Sequence, residues 1–412
     1  MNNQLYWTTT NKVLFRFAFI FIICFIIVFN NEAYPCFNVL TKPITSLFHD
    51  FTPWFAKNIL HYTYDYTIFS NGSGDTSYDW VTLSILILLG VLGSVLWSLI
   101  DRNRKEYNHL YYWLTVLIRY YIAFMLFNYG AIKLLHAQMP PPSLNRLMQP
   151  LHEFSPMGLA WTYLGFSKGY NIFMGIVEIS ALLLLFRRTV TIVALITMAT
   201  SINIMTVNYF FDVPVKLVST ALFLLSLFLL LPNIKTLYAF FILGKPAEIR
   251  TIDKTEYSKP WIKKGLIALK VIVIIVFAVT QYFSLTNTQK MIADYFKKST
   301  INGIFKVDRQ GKSFKSIPNE WNYIIFEFEG TAVIRDTNYQ KGYQQFLLDE
   351  KTKEITINNF KLNYSIQKNG DIILTKSFTE GTEEIKLIKQ NKEDMELIKR
   401  GFNLIQEYPY NR

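Results

Sequence analysis

Before Leu285 the chain alternates long uncharged apolar runs with short polar loops, and beyond it Lys and Glu become frequent and the apolar runs shrink to a few residues. About 20 mainly apolar residues at 1.5 Å each cover a hydrocarbon core of roughly 30 Å. Seven runs approach that length: Val13–Phe29, Val81–Ile100, Tyr111–Leu135, Asn171–Phe186, Thr189–Phe211, Val215–Leu231 and Gly265–Phe283. The fourth is short, and the apolar stretch Gly158–Phe166 ahead of it suits an interfacial or re-entrant position. In the first, Lys12 and Arg16 stand ahead of the apolar stretch and no small-residue cleavage site follows Phe29, which reads as an uncleaved anchor rather than a signal peptide.

The C-terminal pattern changes to period two. Lys361–Gln367 alternates strictly, with Leu362, Tyr364 and Ile366 on one face, and Asp371–Ser377 follows after Asn369-Gly370, a two-residue turn that favours a tight hairpin. Further short strands are predicted at Ile304–Val307, Tyr323–Glu329, Thr331–Arg335, Tyr343–Asp349, Glu354–Asn358 and Glu384–Lys389. Sequential hairpins make an antiparallel meander, and about eight strands can close into a small barrel without exposed edges. In outline the domain resembles lipocalin-like barrels. Asn391 then reads as an N-cap, with Met395, Ile398 and Phe402 at helical spacing until Gly401. The expected fold is therefore an α-helical polytopic membrane protein of about seven spans plus a C-terminal β-meander or small barrel. The domains run 1–110 (two spans and a loop), 111–243 (a four-helix bundle), 244–285 (a linker and the last span) and 286–412 (the β-rich domain).

Charge sets the expected orientation. Only 17% of residues are charged, against roughly a quarter in soluble chains. With the N-terminus inside, the inner segments hold Lys12 and Arg16; Arg102, Arg104 and Lys105; Arg187 and Arg188; and seven more between Lys235 and Lys264. The outer loops hold Lys42, Lys57, Arg146, Lys168 and Lys216, so the distribution is fourteen against five. Under the positive-inside rule this predicts a cytoplasmic N-terminus and, for a bacterial inner membrane, a periplasmic C-terminal domain. The net charge of +12 is then mostly topology, and no basic patch with interleaved base-stacking aromatics speaks for nucleic acid. Cys24 and Cys36 are about 18 Å apart along a continuous helix, too far for a bridge without a sharp turn.

An ionisable side chain at bilayer depth costs at least ~2.5–3.5 kcal/mol and usually faces a bundle interior or a cavity. Consecutive spans carry Arg119 and Lys133, then Glu178, then Asn203 and Asn208, with Asp212 and Lys216 flanking the next turn. Counting depth along each helix puts Lys133, Glu178 and Asn203 in the same half of the bilayer and Arg119 in the other. A Lys133–Glu178 pair would offset the desolvation of both charges, with Asn203 and Asn208 alongside and Tyr129, His136 and Asp212 at the rim. The functional reading is a polar pocket open to the periplasm, with Lys133 and Glu178 as the reactive candidates. The structural reading is an ion pair that fixes helix register. No metal-spaced His/Cys cluster, haem ligand pair, nucleotide loop or nucleophile elbow is present.

Two stretches carry a family resemblance. Ile118-Arg-Tyr-Tyr-Ile-Ala-Phe-Met-Leu-Phe-Asn-Tyr-Gly-Ala-Ile-Lys-Leu134 and Gly175-Ile-Val-Glu-Ile-Ser-Ala-Leu-Leu-Leu-Leu-Phe-Arg187 resemble the DoxX/DoxD family of four-helix membrane proteins. The shared elements are Arg119, Gly130, Lys133, Leu134, Glu178 and Arg187, and the resemblance covers about residues 111–243. It departs in the long loop His136–Tyr170, the three extra spans and the C-terminal domain. The resemblance implies redox work at the membrane, since DoxD-type members are subunits of a thiosulfate:quinone oxidoreductase. A weaker resemblance, through Tyr129-Gly-Ala-Ile-Lys-Leu134, is to vitamin K-dependent carboxylase-like membrane proteins, and would make Lys133 a base acting on a hydroquinone.

Both resemblances leave the cofactor open and are compatible with a quinone, whose carbonyls take a donor at each end from Lys, Arg or Asn side chains. Arg119, Tyr129, Asn203 and Asn208 are the candidate binding residues. The expected partners are the lipid bilayer, a quinone and a periplasmic or membrane protein. The alternative is a membrane-anchored assembly factor whose β domain binds a partner or lipid. A transporter ranks last because broken helices and inverted repeats are not evident.

Overall fold

The computed structural model describes residues 7–62, 74–251, 257 and 259–411. Two compact units emerge, one of residues 1–140 and 156–287, the other of 141–155 and 288–412. The helices are α1 (Thr9–Val28), α2 (Phe37–Asn58), α3 (Ser77–Ile100), α4 (Asn108–Leu134), α5 (Leu144–Leu147), α6 (Pro156–Phe166), α7 (Lys168–Ile179), α8 (Val190–Phe210), α9 (Lys216–Leu230), α10 (Ile234–Phe241) and α11 (Pro260–Tyr295). Among the described residues seven helical segments are long and apolar enough to cross a membrane: α1, α3, α4, α7 with its 3-10 extension to Leu185, α8, α9 continued through α10, and α11. Each coincides with one of the seven runs read from the sequence.

The first unit is organised around α4. Within its most apolar window 72% of α4 is buried, against 6% for α11, so α4 is the hub and α11 lies on its outside. Tyr121 Oη donates to the Phe29 carbonyl at 2.7 Å and Tyr34 Oη to Leu117 at 2.6 Å, tying α4 to the end of α1 and the turn after it. Phe124 stacks on Phe277 of α11 with ring centroids 3.9 Å apart. The apolar segment Gly158–Phe166 forms most of α6. Helices α2, α5 and α10 form in segments where the hydropathy pattern predicts no span.

The second unit contains a closed antiparallel barrel of eight strands in sequential order. They are β1 (Lys298–Asp308), β2 (Trp321–Phe328), β3 (Thr331–Asp336), β4 (Lys341–Asp349), β5 (Glu354–Ile357), β6 (Phe360–Ile366), β7 (Ile372–Phe378) and β8 (Gly381–Gln390), and β1 closes against β8. All eight predicted strands are present. The hairpin after β6 also forms, but its turn is longer than two residues. The Gln367 carbonyl accepts from Gly370 N at 2.9 Å, and Gly370 then takes φ +84°, the left-handed position after a type I-like turn. The helix expected after Asn391 shortens to a 3-10 turn and α12 (Glu396–Lys399), and Phe402 is 90% exposed.

Inward-facing Phe305, Ile324, Phe326, Ile334, Phe346 and Leu374 fill the barrel. What the sequence assigned to the bundle loop is a strap on its outside. Leu144, Leu147 and Met148 cover Ile304, Ile325 and Val333, which point outward from β1, β2 and β3. Beside them Arg335 is fully buried. Its Nη1 donates to Glu153 Oε2 at 3.2 Å and to the Tyr339 carbonyl at 2.5 Å, and its Nη2 to Asn145 Oδ1 at 2.8 Å. Glu327 accepts from the amide nitrogens of Leu144 and Asn145 at 2.8 and 3.4 Å. Burial nevertheless pushes its carboxyl above the ordinary value. The folded form thus holds this proton to a higher pH than the unfolded chain, and this group's contribution to stability falls as pH rises through that interval.

Residues 288–412 alone should therefore be less stable than the same segment carrying 141–155 on a flexible linker, because removing the strap takes away the Glu153 and Asn145 partners of Arg335 and exposes three apolar side chains to water. Urea titration followed by far-ultraviolet circular dichroism checks this, and equal midpoints would remove the strap from the barrel's stability.

Candidate functional site

Two glycines decide how α4 and α7 meet. A Cβ added to Gly130 would lie 2.7 Å from the Gly175 carbonyl oxygen, and one added to Gly175 would lie 2.7 Å from the Gly130 carbonyl oxygen. Neither position accepts a larger residue without separating the helices, the close approach that small residues permit in membrane bundles. Lys133 and Glu178 each follow their glycine by three residues, about one turn, and so share its face. Lys133 Nζ donates to Glu178 Oε1 at 2.7 Å and to Oε2 at 2.8 Å, with both side chains buried.

This pair stands in the wall of a cavity of about 480 Å³ bounded by α4, the segment after it, α6, α7, α8 and α9. Most of the lining is apolar or aromatic, including Leu126, Trp161, Phe173, Met174 and Leu222. Tyr129 also lines it, its ring 5.8 Å from Lys133 Nζ. Asn203 and Asn208 are both in the lining, but they differ. The Asn208 amide is committed to the Val215 carbonyl and Ser219 Oγ, each at 3.1 Å, and joins α8 to the start of α9, whereas Asn203 is exposed. Tyr170 and Phe173, which also line it, are 40% and 61% exposed, so part of the cavity wall belongs to the outer surface of the helical unit.

Arg119 lies outside this lining. Its Nε donates to the Leu184 carbonyl at 2.6 Å and its Nη2 to Leu185 at 2.8 Å, placing a positive charge on the last carbonyls of the 3-10 extension of α7, where helix ends carry unpaired acceptors and partial negative charge. His136 and Asp212 also have local tasks. His136 Nε2 is 2.8 Å from the Gly165 carbonyl, and Asp212 pairs with Lys216 at 3.0 Å at a turn 82% open on the carboxylate side. Sequence reasoning missed Gln138, which lines the cavity and whose buried Oε1 has no hydrogen-bond partner. It sits in an irregular segment that periodicity does not describe.

Fold and site together define a polytopic helical membrane protein with an appended eight-stranded barrel and a buried ion pair in the wall of a mainly apolar cavity. Over 115 residues the chain is 36% identical to the uncharacterized protein YwoB of Bacillus subtilis (strain 168), a match covering 27% of this chain and 71% of that protein. The chain belongs to the family of that protein. No family model matches it, and no solved structure does.

Removing one member of the buried pair leaves the other charge uncompensated, which costs about 3–5 kcal/mol in buried sites. Lys133→Met and Glu178→Gln should each lower the thermal midpoint of the purified protein markedly, while the double variant recovers most of the loss. Additive losses in the double variant would show that the two charges act independently.

Proposed function

We propose that this protein is an inner-membrane component of a quinone-linked redox system and that the cavity holds the quinone headgroup beside Lys133 and Glu178. The observation that carries the reading is the combination of a closed, buried ion pair with a mainly apolar cavity whose wall includes the exposed rings of Tyr170 and Phe173. An amphiphile with a flat polar head and an apolar tail satisfies both parts. Lys133 already gives two hydrogens to Glu178 and has a third for a ligand carbonyl, and the unpaired Gln138 oxygen accepts from a hydroxyl. Tyr129 and Asn203 complete the polar edge. The resemblance of Arg119, Gly130, Lys133, Leu134 and Glu178 to the DoxX/DoxD pattern supports the same chemistry.

In this reading the N-terminus is cytoplasmic and the barrel periplasmic, as the bias of Lys and Arg favours. A reporter that matures only in the periplasm, fused after Arg412, should be active, and activity of a cytoplasmic-only reporter at that position would reverse the topology. A second reading is an assembly factor that binds a partner through its barrel, and the state of the barrel interior decides which surface would do so. That interior is filled by side chains, which leaves the outer surface for recognition.

Native mass spectrometry of protein extracted in mild detergent separates the two. Wild-type protein should retain a quinone-mass adduct that the Lys133→Met/Glu178→Gln double variant loses. Retention of phospholipid alone, or of the adduct in both proteins, would refute the quinone site.

A further inference from the structure

Helix α2 has three faces rather than two. Laid out at about 100° per residue, its buried side chains Thr41, Phe48, Thr52, Phe55 and Ala56 form one arc. Leu40, Ile44, Leu47, Phe51 and Trp54 form a second arc about 80° wide, centred about 100° from the first, and all five are exposed, Leu40 at 76% and Leu47 at 65%. Lys42, Ser46, Asp50 and Lys57 occupy the third. A helix packed on a soluble core needs an apolar face and a polar face. The additional apolar arc, set beside the packed face and away from the charged one, is what a helix shows when protein, lipid and water each meet a different side.

Its placement agrees. At about 1.5 Å per residue α2 is about 33 Å long, yet its polar and ring contacts with α3 fall within the first turn and a half of that helix. Thr52 Oγ1 is 3.1 Å from Thr82 Oγ1, and the His49 ring lies edge-on to Tyr78 at 5.6 Å. Tyr62, just past the end of α2, reaches Ser77 at 3.4 Å. Near the other end Thr41 and Thr45 line a small pocket with Thr280, Gln281 and Ser284 of α11 and with the turn that follows α1. Thus α2 crosses the ends of three spans, the end of α1, the start of α3 and the far end of the apolar part of α11, and does not run beside any of them. A helix lying across span ends lies near the plane of the bilayer.

The geometry points to α2 as an in-plane membrane anchor that seats Leu40, Ile44, Leu47, Phe51 and Trp54 at the headgroup–acyl boundary of the leaflet where α1 ends and α3 begins. The occupant is lipid because the spans whose ends α2 meets carry exposed apolar side chains of their own, Leu88, Leu92 and Leu96 on α3 and Ile272, Ile275 and Val279 on α11, and interfacial helices of this kind bury their apolar side at the headgroup–acyl boundary. The water-facing arc carries Lys42 and Lys57 against Asp50, so seating needs no anionic lipid.

Single cysteines placed in a Cys24→Ser/Cys36→Ser background at Leu40, Leu47, Lys42 and Ser46, spin-labelled and reconstituted in phosphatidylcholine nanodiscs, test this. Leu47 and Ser46 are chain neighbours about 100° apart, so a helix in the interface separates them. Leu40→Cys and Leu47→Cys should show an oxygen-to-nickel-chelate accessibility ratio several-fold above that of Lys42→Cys and Ser46→Cys, and unmoved by adding phosphatidylglycerol. Equal, nickel-dominated access at all four sites would put the stripe in water. Low access to both reagents at Leu40 and Leu47, or spin–spin broadening there, would mean a second copy or another protein covers it. Either result overturns the assignment. An unchanged gel-filtration profile of each labelled variant establishes that the comparison is made on folded protein.

Discussion

The membrane unit depends on the crossing of α4 and α7 at Gly130 and Gly175. Backbone approaches backbone there because neither residue carries a side chain, and within one turn the chain places an ammonium on one helix and a carboxylate on the other. Two short hydrogen bonds between Lys133 and Glu178 form only because the helices are that close. The same two helices are joined again farther along, where Arg119 donates to Leu184 and Leu185. The antiparallel pair is therefore held at both ends, by a charge pair at one and by a cation on backbone carbonyls at the other. Since the Lys–Glu pair is neutral as a unit, the cavity beside it can be mainly apolar without leaving a lone charge in its wall.

The barrel rests on a different arrangement of the same constraint, that buried polar groups need partners. Its interior is apolar and follows the alternation of its strands. Its outer face over β1, β2 and β3 is also buried, because residues 141–155 lie on it. Arg335 and Glu327 point outward from neighbouring strands, and the strap supplies partners to the two terminal nitrogens of Arg335 through Glu153 and Asn145 and to the Glu327 carboxylate through two backbone amides. A segment written between two membrane helices thus completes the hydrogen bonding of a domain that begins almost 150 residues later.

Much of this was legible in the sequence where the governing rule is local. A bilayer demands about 20 apolar residues and a half-buried strand demands period two, so the seven spans and the eight strands could be read by counting. Lys133 and Glu178 could be paired because charges at equal depth in neighbouring spans need each other. The runs Tyr323-Ile-Ile-Phe326 and Ala332-Val-Ile334 already lack alternation, which is the mark of strands covered on both faces, although nothing local says what covers them.

Tertiary structure decided the rest. Hydropathy averaged around α2 dilutes its lipid-facing arc with its polar one, so the helix falls below the threshold for a span and its three faces emerge only when α3 and α11 are in place. Arg119 looked like a ligand-binding cation because its partners are backbone carbonyls, which every sequence has and none marks. Asn208 and Asn203 have the same chemistry five residues apart, and only the start of α9 determines that one is committed to Val215 and Ser219 while the other faces the cavity rim. By itself the sequence determined which residues had to leave water and with what period. Which of them meet was left to packing, because that depends on groups far apart in the chain and on backbone atoms that all residues share.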